Sequence, residues 1–261
     1  MDKNDKNKPI ALFDSGVGGL TVYKELKKLL PKEDYLYFGD TFNMPYGEKT
    51  PEELLIITKR IFDFFELKHV KAVVMACNTS SAICYDRLKD KYNFQIYPII
   101  QSVSKVLSDL NAETLGVFAT PATVNSHAYA KYLNGKKVFE IACPDWVKIV
   151  ENNEINTPLS LGKVRQCVLE MQRFLPDKII LGCTHYPYLS PVLKHYFRSE
   201  NIINPAEYFA KYIKNDLTAH DLINQKSKGS EKFYVSSNPE QFKMSAKMFY
   251  ELNSPPKLIK V

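Results

Sequence analysis

Two short segments place a cysteine where an apolar run ends and a helical stretch begins: Ala76, Cys77, Asn78, Thr79 and Gly182, Cys183, Thr184, His185. A helix N-terminus favours a thiolate, so the expected effect is a lowered thiol pKa and a sulfur competent as a base near neutral pH. Backbone N–H groups there, with the Asn78, Thr79 and Thr184 side chains, suit a carboxylate ligand. Cys84, Cys143 and Cys167 lack such neighbours and read as packing residues, the common role of a free cysteine. His185, two residues after Cys183, can tune the thiol or donate to a carbanion-like intermediate. A zinc site would need three or four convergent ligands, and no Cys-x-x-Cys or His-x-x-x-His pair stands in the sequence, so no metal is expected. His69, His127, His195 and His220 have no comparable company and read as surface or helix-face residues.

A third candidate is the turn of Asp14, Ser15, Gly16, Val17, Gly18 and Gly19. Its spacing misses the dinucleotide fingerprint, whose third glycine would fall at Thr21, and it lacks the Gly-Lys-Ser/Thr ending of a P-loop. Its glycines let backbone approach a small anion, with Asp14 as a charged orienting group. Gly39, Asp40 and Thr41, followed by Pro45, Tyr46 and Gly47, form a second polar loop.

The elements that must hold these groups alternate. Strands are expected at 10–13, 35–38 and 72–75, each followed by a helix, at 20–30, 51–67 and 80–88. That rhythm reads as βαβ units with a parallel sheet. Thr50, Pro51 and Glu53 make a capping box, and Thr120 with Pro121 repeats the start signal. A second series has strands at 115–119, 138–142 and 178–181 with helices at 123–133 and 161–174. The tail adds a helix at 206–217, a loop at 225–231, a strand at 233–236, a helix at 239–252 and a last strand at 258–261. LFDSG from Leu12 resembles VFATP from Val117, and AVVMACNTS resembles KIILGCTHY, at nearly one common offset. A duplicated α/β half explains both matches. Since ligands bind beyond the carboxyl ends of parallel strands, the two thiols should face one cleft.

The 261 residues are 45% apolar and 12% aromatic, enough for a substantial core. A net charge of +6, spread along the chain, does not point to nucleic acid. No apolar run approaches the roughly 18 residues of a membrane helix. Five cysteines at irregular spacing, with Asp14 ending the first apolar run, are expected to be free thiols in a cytoplasmic protein with a frayed, polar N-terminus.

Taken in order, FDSGVGG from Phe13, GDT and MPYG from Gly39, ACNT from Ala76, ATPATV from Ala119 and LGCTHYP from Leu181 resemble the glutamate racemases of the aspartate/glutamate racemase superfamily. The resemblance runs over about residues 9–240. It implies two similar α/β domains with parallel-type sheets related by a pseudo-two-fold, the active site in the cleft between them. Residues 1–101 plus 212–261 would form the first and 102–211 the second. It also implies Cys77 and Cys183 on opposite faces of the α-carbon, Cys183 removing the proton of L-glutamate and Cys77 supplying one. Asp14 would assist Cys77, His185 would assist Cys183, and Glu151 falls where the family has a further assisting glutamate. Ser15, Pro45, Tyr46, Gly47, Asn78, Thr79, Thr120, Thr123 and Thr184 match positions that hold the substrate. The implied enzyme needs no pyridoxal phosphate or other cofactor, works as a homodimer, and supplies D-glutamate for peptidoglycan synthesis. Phe42, Asn43 and Met44, and the run PIIQSVSKVL, depart from the family's usual residues.

Three other readings of the same residues differ in what they predict. A relative acting on aspartate, a hydantoin or maleate would differ in substrate profile. A cysteine-nucleophile transferase or hydrolase using Cys183 and His185 would form a covalent adduct and leave Cys77 dispensable. A binding protein on the same scaffold would show no turnover.

Overall fold

A computed structural model describes residues 5–225 and 228–261. The first four residues of the expected polar tail, and residues 226 and 227 of the expected loop, lie outside the described residues. In chain order the main elements are β1 (Ile10–Asp14), α1 (Leu20–Leu29), β2 (Tyr35–Gly39), α2 (Pro51–Leu67), β3 (Ala72–Met75), α3 (Asn78–Leu88), β4 (Gln95–Pro98) and α4 (Ile99–Leu107). A second run comprises β5 (Thr114–Ala119), α5 (Pro121–Asn125), α6 (Ala128–Tyr132), β6 (Lys137–Ala142), α7 (Trp146–Glu151), α8 (Pro158–Gln172), β7 (Lys178–Gly182), α9 (Ser190–Leu193) and β8 (Ile202–Ile203). The chain closes with α10 (Pro205–Ala219), β9 (Glu231–Val235), α11 (Pro239–Ala246) and β10 (Lys257–Leu258).

These strands make two wholly parallel sheets, ordered β10-β9-β2-β1-β3-β4 and β6-β5-β7-β8. Both contain the same unit: the first strand of a run lies between its second and third, and the fourth stands beyond the third. The correspondence is the structural counterpart of the sequence repeat, β1 answering to β5 and β3 to β7. Strands β1, β2 and β3 are buried at every residue, the pattern of a parallel sheet covered by helices on both faces. Strand β9 extends the first sheet by pairing with β2, so the end of the chain returns to the half where it began.

Local chemistry explains the firm boundaries. The Thr50 hydroxyl accepts from the Glu53 N–H at 3.3 Å while the Glu53 carboxylate accepts from the Thr50 N–H at 2.8 Å, the reciprocal cap expected for α2. Thr120 caps α5 by accepting from the Thr123 N–H. The single helix expected at 123–133 is instead two short ones, because His127 sits between them at φ 51°, a left-handed conformation that stops helix propagation. The helix expected at 239–252 ends at Ala246, and the last strand is Lys257–Leu258, sharing only Leu258 with the expected 258–261. Periodicity missed β4, α4, α7, α9 and β8, all short or continuous with a neighbouring element. Among the described residues no helix is long and apolar enough to cross a membrane.

Candidate active site

Strands β1 and β3 are neighbours, with Phe13 opposite Met75, so the turns that follow them emerge side by side. Cys77 is the N-cap residue of α3 and only 6% exposed. Asp14, the last residue of β1, is fully buried, and its carboxylate accepts from the Gly16 N–H at 3.1 Å and from the Thr184 hydroxyl at 3.4 Å. The helix terminus does not lower the Cys77 pKa as expected from its position. Burial above all, then the Asp14 charge and more weakly the other thiol, push it up to about 12 against the opposing hydrogen bonds of Ser80. Cys77 therefore holds its proton at neutral pH. Burial likewise raises the Asp14 pKa, with the His185 charge opposing it.

On the other half, β5 and β7 are paired with Ala119 opposite Gly182, and Cys183 follows directly. His185 Nδ1 lies 3.8 Å from the Cys183 Sγ and Nε2 lies 3.0 Å from a Glu151 carboxylate oxygen. Burial works to lower the pKa of His185, but the hydrogen bonds and charges of Cys183 and Glu151 outweigh it and raise it to about 10. The ring is thus an imidazolium at neutral pH, with its Nδ1 turned toward a sulfur. Phe249, beyond α11, packs edge-on to it with centroids 5.6 Å apart.

Both thiols line one cavity of about 230 Å³. Ser15, Pro45, Tyr46, Gly47, Asn78, Thr79, Thr120, Glu151, Thr184 and His185 line it too. Two expected site residues do not. Asp14 stands behind the cavity wall, and Thr123 is fully buried, its hydroxyl 3.0 Å from that of Thr120 and 3.3 Å from that of Thr79. The Thr79 and Thr120 hydroxyls are 2.9 Å apart, joining the end of one sheet to the end of the other. The Tyr129 hydroxyl donates to the Asn78 Oδ1 at 2.8 Å, which turns the Asn78 amide; its buried Nδ2 has no partner among the described residues and is a ready donor to an anion. Asp40, expected only as part of a turn, anchors Tyr46 by accepting from its hydroxyl at 2.6 Å.

Sequence reasoning missed Met44, Glu48, Pro121, Pro144, Val147 and Lys148, which also line the cavity. One signal was available: Lys148 and Glu151 are three apart in a helical stretch and so share a face. The partner of Lys148, Glu48, had none, because it comes from the other half of the chain.

The pattern of the Asp/Glu/Hydantoin racemase family matches residues 12–213. The chain is 37% identical over 249 residues to a glutamate racemase of Thermoanaerobacter sp. (strain X514), covering 92% of each chain. Its fold superposes on the crystal structure of a glutamate racemase from Francisella tularensis in complex with D-glutamate with a TM-score of 0.90, at 30% identity and 98% coverage of both chains. For a glutamate racemase isoform from Bacillus anthracis the TM-score is 0.91, at 29% identity and 98% coverage of both.

Proposed function

Because this chain belongs to the Asp/Glu/Hydantoin racemase family, we propose that it interconverts L- and D-glutamate by moving protons between the substrate α-carbon and two thiols. The observation that carries the reading is the single cavity lined by Cys77 and Cys183, one from each half of the fold. Inversion needs a base on one face of the carbon and an acid on the other, which one residue cannot supply. The resting charges suit one direction directly. Cys77 carries its proton, ready to be given, while Cys183 stands 3.8 Å from the Nδ1 of the His185 imidazolium, a donor beside the sulfur on the other face. Cys183 then takes the α-proton of L-glutamate and Cys77 gives its own to the opposite face; D-glutamate runs the sequence backwards. Asn78, Thr79, Thr120 and Thr184, with Ser15 and the Pro45, Tyr46, Gly47 turn, hold the carboxylates and amine, and these fixed donors stabilise the charge that develops in a closed, water-poor cavity. Asp14 acts through the turn it organises, Thr123 through Thr79 and Thr120, and Glu151 through His185.

The proposed division at 1–101 plus 212–261 and at 102–211 is supported by the membership of the two sheets, although α4 runs across the first boundary and α10 across the second. The enzyme's place is the cytoplasm, in agreement with five free cysteines; it works as a homodimer and supplies D-glutamate for peptidoglycan synthesis. The test is proton exchange at Cα of L- or D-glutamate in D₂O with no added cofactor. Wild-type protein is expected to exchange and racemise, and Cys77→Ser or Cys183→Ser to lose at least about 100-fold in racemisation. Undiminished racemisation in either variant overturns the two-thiol assignment, and faster turnover of aspartate than of glutamate overturns the substrate.

A further inference from the structure

Glu48 and Lys148 line the cavity from opposite halves of the fold. Glu48 follows the Tyr46, Gly47 turn of the first half; Lys148 lies on α7 of the second. Lys148 Nζ is 3.3 Å from the Glu48 Oε1, and both side chains are about two-thirds exposed, so the pair sits where the cavity meets solvent. Deeper in, the thiols are 6% and 8% exposed. Helix α7 therefore carries two ionic contacts one turn apart: Lys148 reaches across the cleft, and Glu151 holds His185. Its other face is anchored by the buried Trp146, Ile149 and Val150.

We propose that the Glu48–Lys148 ion pair is a latch that closes the mouth of the cavity over its two thiols, with Lys148 as the positioning residue that ties α7 to the opposite half. A dicarboxylic amino acid must part the pair to enter, and the pair re-forms behind it. Lys148, the cation freed when the pair opens, attracts the incoming anion, and re-pairing keeps water from the carbon that carries charge. This role for the substrate rests on the racemase reading, whereas closure over the thiols does not.

Alkylation of the ligand-free protein by iodoacetamide, followed cysteine by cysteine by peptide mass spectrometry, tests the latch without relying on turnover. In Glu48→Gln and in Lys148→Met the alkylation rates of Cys77 and Cys183 are expected to rise about three- to fivefold, near the ceiling for an ion pair this exposed. Buried Cys84, against α2, should keep its rate. Raising the ionic strength from about 0.1 M to about 1 M should speed alkylation of wild type and leave the single variants unchanged, since the screening length falls from roughly 10 Å to roughly 3 Å, the separation of this exposed pair. The double variant Glu48→Lys with Lys148→Glu should return the thiols to the wild-type rate and recover most of kcat/KM for glutamate. Unaltered thiol rates in the single variants, failure of the swapped pair to restore them, or a parallel rise at Cys84 would each overturn the latch. Wild-type protein that fails to racemise glutamate but passes the alkylation test would overturn the function and leave the latch standing.

Discussion

At the scale of single residues, burial and neighbouring groups set the protonation of Cys77 and His185 in the cavity wall. Cys77 is surrounded by low-polarity packing and a buried carboxylate, both of which oppose a second negative charge; Cys183 faces a cation. His185 shows how far its partners can move a group, since its pKa goes from an ordinary 6.5 to about 10 although the ring is buried. A raised folded-state pKa means the folded protein holds that proton more tightly than the unfolded chain. The resulting stabilisation is fully present below about pH 6.5 and is lost as pH rises through about 10. Urea unfolding of wild type should therefore lose midpoint across that window by more than His185→Gln does. Equal pH slopes for the two proteins would show that His185 is not held as a cation.

At the scale of elements, the turn between β1 and α1 shows why glycine is needed where chain meets chain. A Cβ added to Gly18 would stand 2.5 Å from the Cε1 of His185 and 2.6 Å from its Nδ1. One on Gly19 would stand 2.5 Å from the Asp14 Cβ. The first clash crosses between the two halves, so the turn is shaped to admit a ring from the other sheet. Gly18→Ala is expected to displace His185 and cut kcat/KM for glutamate at least tenfold, while destabilising the fold by only about 1–3 kcal/mol, the usual range for overpacking. Steady-state kinetics beside a thermal melt check this; full activity would mean that His185 can shift without consequence. The break at His127 makes a related point about helices. The sequence from 123 to 133 has helical period, yet the chain turns there so that Thr123 stays with Thr79 and Thr120 while Tyr129 reaches Asn78.

At the scale of the whole molecule, the return of the chain to the first sheet is secured by a buried charge cluster. Lys71 Nζ, with its side chain fully buried, lies 2.6 Å from the Glu33 carboxylate and donates to the carbonyls of Leu222 at 2.7 Å and Lys6 at 2.9 Å. The other Glu33 oxygen accepts from the Asn224 N–H at 2.7 Å. Four stretches separated in sequence meet there, at the end of β3 opposite to Cys77. Lys71→Met should destabilise the protein by about 3–5 kcal/mol, because it strands the Glu33 charge in the interior. Chemical denaturation measures the loss, and a change under about 1 kcal/mol would mean that Glu33 is readily neutralised or solvated. Much was legible from residues alone: alternating elements, the Thr50 cap, the duplicated halves, and the placing of Cys77 and Cys183 after matching strands. All of these are local patterns or repeats, written in spacing and side-chain type. Spacing could not disclose the pairing of Glu48 with Lys148, the withdrawal of Thr123 and Asp14 behind the cavity wall, or a Cys77 thiol that keeps its proton beside a helix terminus. Those depend on which distant groups become neighbours and on how completely water is removed from between them, and only the packing of one half against the other decides either.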